Sequence, residues 1–83
     1  MDAEVSVNNR FYLAGQSLCR REGMEDARSQ CTPRIVEIVN PDSKIMPDHM
    51  ELRAITKNPY YRVGERFIMH HALVAKLYDF QPV

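Results

Sequence analysis

The sequence predicts an α+β fold: a small, mostly antiparallel β-sheet with a C-terminal α-helix packed on it. Three observations predict it. Residues 34–39 place four β-branched apolar side chains (Ile35, Val36, Ile38 and Val39) in six positions, a composition that suits a pleated, buried strand. Residues 50–56 alternate, with Met50, Leu52 and Ala54 on one side and Glu51, Arg53 and Ile55 on the other. Residues 70–80 place Leu73, Leu77 and Phe80 at i, i+4 and i+7, widened by Val74 and Tyr78, which is the stripe of an amphipathic helix.

The remaining elements follow in chain order. Val5 and Val7 alternate with Ser6, Asn8-Asn9 offers a turn, and residues 10–13 read as a returning strand. Residues 14–22 fit either a strand or a helical turn. Residues 24–30 read as a short polar helix or an ordered loop, ended by Thr32-Pro33. The strand at 34–39 is apolar on both faces, so a central place in the sheet is expected. Residues 40–43, Asn-Pro-Asp-Ser, form a turn because proline presets φ and the Asx and Ser side chains satisfy the local backbone. The linker runs on through Pro47, and Asn58-Pro59 starts a further turn. Gly64 interrupts residues 61–69 and predicts a tight bend before a strand at 66–69. Pro82 ends the last element. A helix of this length is marginal alone and must cover a sheet face.

Residues 1–83 are expected to form one small domain. The chain is 45% apolar and 27% charged, the balance of a folded protein rather than a disordered one. Eleven basic and eleven acidic residues cancel. Nucleic-acid binding by phosphate neutralisation normally shows as a basic excess, so it is disfavoured here, while weak self-repulsion suits assembly. The longest strictly apolar run, residues 72–75, is far too short to span a membrane. Residues 1–5 lack a signal peptide's basic patch and apolar run. The expected location is a host cytoplasm or a virion, with no membrane contact.

Cys19, Cys31, His49, His70 and His71 are the metal-ligating side chains of interest. None forms the close pair by which a single turn presents two zinc ligands, and adjacent histidines on a helix diverge. No metal and no cofactor is therefore expected, and whether Cys19 and Cys31 pair is left open. A thiolate nucleophile would have only Arg20 and Arg21 beside Cys19 to lower its pKa. The glycines at 15, 23 and 64 are isolated, so no phosphate loop is present. Phe11 and Phe67 read as core.

Tyr60, Tyr61, Arg62 and Arg66 are the candidate contact residues, because tyrosine and arginine dominate protein-interface anchors. Tyr12, Tyr60, Tyr61 and Tyr78, with Phe11 and Phe67, would stack the bases of a nucleic acid if they shared one sheet face beside Arg53, Arg62 and Arg66. Residues 61–69 (Y-R-V-G-E-R-F-I-M), followed by Ala72, Ala75 and Leu77, resemble a strand, V-G-E/D turn, strand and A-x-x-L helix found in small phage and prophage proteins. Those proteins usually carry Ser, Thr or Pro where this chain has His70-His71. The resemblance implies a small virion or accessory protein and carries no catalytic residue. The expected function is a non-enzymatic protein-interaction module, either a virion component or an inhibitor docked on a host protein. The alternative is a small nucleic-acid-binding domain using Tyr60, Tyr61, Arg62 and Arg66.

Overall fold

The computed structural model describes residues 5–7, 9–23 and 32–81. The short element expected over residues 24–30, and Cys31, lie outside them. Among the described residues, seven strands and one helix follow in the order β1 (Val5–Val7), β2 (Arg10–Tyr12), β3 (Ser17–Arg20), β4 (Ile35–Asn40), β5 (His49–Ala54), β6 (Arg66–His70), α1 (His71–Leu77) and β7 (Tyr78–Phe80). β1 and β2 pair as a hairpin. The other five strands form one antiparallel sheet in the order β6-β5-β4-β3-β7. The α+β class is the one the sequence predicts, and the strand that is apolar on both faces, β4, is central.

Period-2 alternation decides the two faces of the sheet. Leu18, Val36, Ile38, Met50, Leu52 and Tyr78 are buried on one face, and α1 and the hairpin cover them with Val74, Leu77 and Tyr12. Each fully buried aliphatic side chain contributes roughly 1.5–3 kcal/mol from apolar transfer. The other face carries Glu37, Glu51, Arg53 and Arg66. Arg53 lies 3.5 Å from Glu37 and Arg66 lies 4.0 Å from Glu51 across neighbouring strands. These half-exposed pairs fix register more than they add stability, at about 0.2–1 kcal/mol each.

The hairpin turn contains Asn9 at φ 65°, a left-handed conformation that asparagine tolerates. The ambiguous residues 14–22 resolve into a turn at Ala14-Gly15 and the strand β3, fixed by Gly15 N–H donating to the Ile38 carbonyl at 2.7 Å. Gly64 has φ +89°, so the bend expected from its isolated glycine is present. A Cβ there would meet nothing within 4 Å. Gly64→Val should therefore cost only the backbone strain of a β-branched residue at positive φ, about 2 kcal/mol. An unchanged urea midpoint would contradict this.

Two expectations are corrected. The helix expected through Phe80 ends at Leu77. Tyr78 is extended (φ −120°, ψ 148°), its N–H still caps the Val74 carbonyl, and along β3 its side chain shares a face with Phe80 while Asp79 points to the other. Aromatic residues favour a strand once a ladder partner is available, and tertiary pairing wins over an amphipathic stripe. Phe11, expected in the core, is 56% exposed. The hairpin points Arg10 and Tyr12 inward, so the residue between them must point out.

Seven residues are too few for an autonomous helix, so its ends are held by other groups. His70 Nδ1 accepts the Ala72 N–H at 3.1 Å, an imidazole serving as N-cap. At the other end Arg21 donates to the Ala75 carbonyl at 3.1 Å.

Candidate functional site

The segment between β5 and β6, residues 55–65, projects from one end of the sheet and is tied down at several points. Asn58 does most of this. Its side-chain amide donates to the Thr32 carbonyl at 3.0 Å, and its side-chain oxygen accepts the Tyr60 N–H at 2.7 Å. This is the Asx geometry that an Asn-Pro sequence favours. The Arg62 N–H donates to Glu65 Oε1 at 3.0 Å, the Glu65 N–H donates back to the Arg62 carbonyl at 3.0 Å, and the Gly64 N–H donates to the Ala54 carbonyl at 2.7 Å. Thr56 Oγ1 accepts the Ile35 N–H at 3.0 Å, fixing the loop to the start of β4.

On this frame Tyr60 is 66% exposed and Val63 is 64% exposed, with the Arg62 side chain beside them in solvent. Together with Lys57 and Glu65 they rim a shallow hollow of about 380 Å³. Tyr61 turns the other way and stacks on Phe67, ring centroids 4.4 Å apart at 29°. The sequence-predicted contact residues therefore divide. Tyr60, Tyr61 and Arg62 are brought together on the loop. Arg66 begins the adjoining strand and lies on the open face of the sheet, its side chain 58% exposed.

The Tyr61–Phe67 stack forms one wall of a second groove, about 460 Å³, between β6 and α1. Met46, Ile68, Met69, Leu73 and Leu77 line the rest of its apolar surface. Sequence reasoning missed Val63, Met46 and this groove. Val63 was legible in principle, as an apolar residue just before a turn glycine. Met46 was not, because it comes from the linker that precedes β5.

Of the candidate metal ligands, the three histidines are neighbours and Cys19 stands apart. His49 and His70 face each other across β5 and β6, rings edge-on at 5.1 Å. His49 Nδ1 is 2.9 Å from the Pro47 carbonyl, and His71 Nε2 is 2.8 Å from the Pro41 carbonyl, so these two rings are engaged by backbone. His70 and His71 do diverge, one capping the helix and the other turned to residue 41. Cys19 lies on β3, with β4 and β5 between it and His70 of β6, and Cys31 is outside the described residues. Among the described residues no group of three or more His, Cys, Asp or Glu side chains could hold a metal ion.

Aromatic side chains do not form a platform. Tyr12 and Tyr78 are buried, and Tyr61 and Phe67 lie on the helix side of the sheet, opposite Arg53 and Arg66. No helix among the described residues is long and apolar enough to cross a membrane. Comparison of the chain with models of protein families, with curated proteins and with solved structures finds no match.

Proposed function

We propose that the chain is a non-enzymatic protein-interaction module whose contact surface is the loop at residues 57–65 and the adjoining start of β6. The observation that carries this reading is the presentation of Tyr60, Arg62 and Val63 to solvent on a loop already fixed by hydrogen bonds. Large side chains displayed on an ordered frame lose little further entropy on binding, which is the arrangement interface anchors use. Burying Tyr60 and Val63 would also remove apolar surface that nothing in the described chain covers.

A protein partner is favoured over a nucleic acid. Of the four tyrosines, only Tyr60 offers a largely exposed ring, and base stacking along a strand needs several in a row. The neutral net charge points the same way. A subunit of a virion and an inhibitor docked on a host protein are two forms of this reading, and they differ in stoichiometry.

Selection from a displayed library of random peptides tests it. Clones recovered on the wild-type chain should bind the folded Tyr60→Ala/Arg62→Ala double variant at least about tenfold more weakly, since two interface anchors are lost. Clones that bind both proteins equally, or the recovery of none, would contradict the proposal.

A further inference from the structure

The two edges of the sheet are treated differently. At the β7 edge, Arg10 donates to the Tyr78 carbonyl at 3.1 Å and lies 3.3 Å from Asp79, which Arg21 also approaches at 3.4 Å. That edge is three residues long and closed by side chains. The β6 edge is five residues long. Its antiparallel register with β5 fixes which backbone groups are used. His71 N–H donates to the Asp48 carbonyl and Ala54 N–H to the Glu65 carbonyl, so the hydrogen-bonded pairs with β5 are those of Glu65, Phe67, Met69 and His71. The N–H and C=O groups of Arg66 and Ile68 and the N–H of His70 therefore point outward from the sheet, with no ladder partner among the described residues, while the His70 carbonyl belongs to the first turn of α1. An open edge of this kind is a template for another strand.

Resting on the reading of residues 57–66 as a protein-binding surface, we propose that the partner supplies an extended segment that joins the sheet as a sixth strand beside β6. The side chains of the edge state its chemistry. On the helix side, the added strand runs along Phe67 and Met69 and the groove that Met46, Tyr61 and Leu73 line, so its residues there are apolar. On the open face it runs along Arg66, Ile68 and His70. Arg66 is largely exposed and reaches Glu51 only at 4.0 Å. Lys57 and Arg62 add two more cations at the same end of the strand, against Glu65 and Glu51. This corner thus carries an excess cation on a chain that is neutral overall. The matching strand reads acidic, apolar, β-branched, apolar, acidic, with its carboxylates beside Arg66 and His70.

A second copy of this chain is a poorer occupant. Pairing β6 with itself about Ile68 would set Arg66 across from a second His70, whose Nδ1 already accepts the Ala72 N–H, and residues 66–70 contain no carboxylate to meet either copy's Arg66. The carboxylate of the other edge, Asp79, is already held by two arginines.

Fluorescence anisotropy with two labelled, end-capped peptides tests the proposal: Ser-Glu-Leu-Thr-Leu-Glu-Ser and its counterpart with Lys in place of Glu. The Glu peptide should bind and the Lys peptide should bind at least about tenfold more weakly, the effect of reversing charges beside Arg66. Ile68→Pro removes an outward N–H without touching the β5 ladder, a position where proline is tolerated. With an unchanged circular dichroism spectrum, this variant should lose binding of the Glu peptide by about tenfold or more. Arg66→Glu, which alters only an exposed side chain, should reverse the preference between the peptides. Equal binding of both peptides, no binding of either up to about 1 mM, full binding by Ile68→Pro, or a free chain that sediments as a dimer through this edge would each overturn strand addition. Library-selected clones that depend on Tyr60 and Arg62 yet bind Ile68→Pro fully would overturn strand addition alone, leaving the contact surface standing. Clones indifferent to Tyr60 and Arg62 would overturn the surface itself.

Discussion

Replacing Tyr78 with Ala is expected to lower the unfolding free energy by about 3–5 kcal/mol, the usual range for truncating a buried aromatic residue. Tyr78 is fully buried at the point where the chain leaves α1 and joins β7. Its hydroxyl donates to the carbonyl of Pro33, which ties the last strand to the residues that lead into β4. The truncation leaves a cavity and also an unpaired carbonyl, which adds a desolvation cost. A domain of this size has roughly 5 kcal/mol or a little more to lose, so the variant should keep only about 0–2 kcal/mol and be marginally stable at room temperature. Tyr78→Phe removes only the hydroxyl and should cost about 1–2 kcal/mol. Burial raises the Tyr78 pKa above its ordinary value of 10.0, against the opposing effects of a hydrogen bond with Thr32 and the charge of Arg20. A raised folded-state pKa means that the tyrosine's contribution is complete below about pH 10 and is lost as pH rises through the folded value. The urea midpoint of the wild type should therefore fall more steeply above pH 10 than that of Tyr78→Phe. Parallel declines would show that Tyr78 does not titrate as a buried group.

Leu77→Ala should cost about 2–4 kcal/mol, and Leu73→Ala no more than about 1 kcal/mol. Both leucines lie on α1 and both touch the groove beside β6, but Leu77 belongs to the buried core while Leu73 only packs against it. The contrast separates two roles for one helix. Leu77 holds the helix to the sheet, which a seven-residue helix cannot do without. Leu73 leaves part of its side chain to face whatever enters the groove. Equal costs in chemical denaturation would mean that the groove is closed core.

The α+β class, the central place of β4 and the bend at Gly64 were all legible in the sequence, because each rests on local chemistry: β-branched density, alternation, and a residue free to adopt positive φ. The end of the helix was not. Tyr78 and Phe80 continue the apolar stripe of Leu73 and Leu77, and only the presence of β3 alongside, about sixty residues earlier in the chain, makes the same residues a strand. Phe11 was misplaced for a related reason. Which of Phe11 and Tyr12 faces the core depends on how the hairpin lies over the sheet, and composition does not carry that. For the contact surface, residue type was enough to select Tyr60, Tyr61 and Arg62. It could not show that Tyr61 turns inward onto Phe67 while Tyr60 stays in solvent, since that division is set by the hydrogen bonds of Asn58. The groove with Met46, and the outward-facing edge of β6, exist only once the strand order is known.

Amide hydrogen exchange along β6 tests the central claim most directly, that an ordered loop and an open strand edge together form the surface through which this chain binds protein. In the free chain the amides of Arg66, Ile68 and His70 should exchange rapidly while those of Phe67 and Met69, bonded to β5, remain protected. Addition of a peptide selected on the wild-type chain should slow the first three and leave the other two unchanged. Protection of all five amides in the free chain would contradict the account, because the edge would already be covered, and selected peptides that leave Arg66, Ile68 and His70 fast would place binding elsewhere.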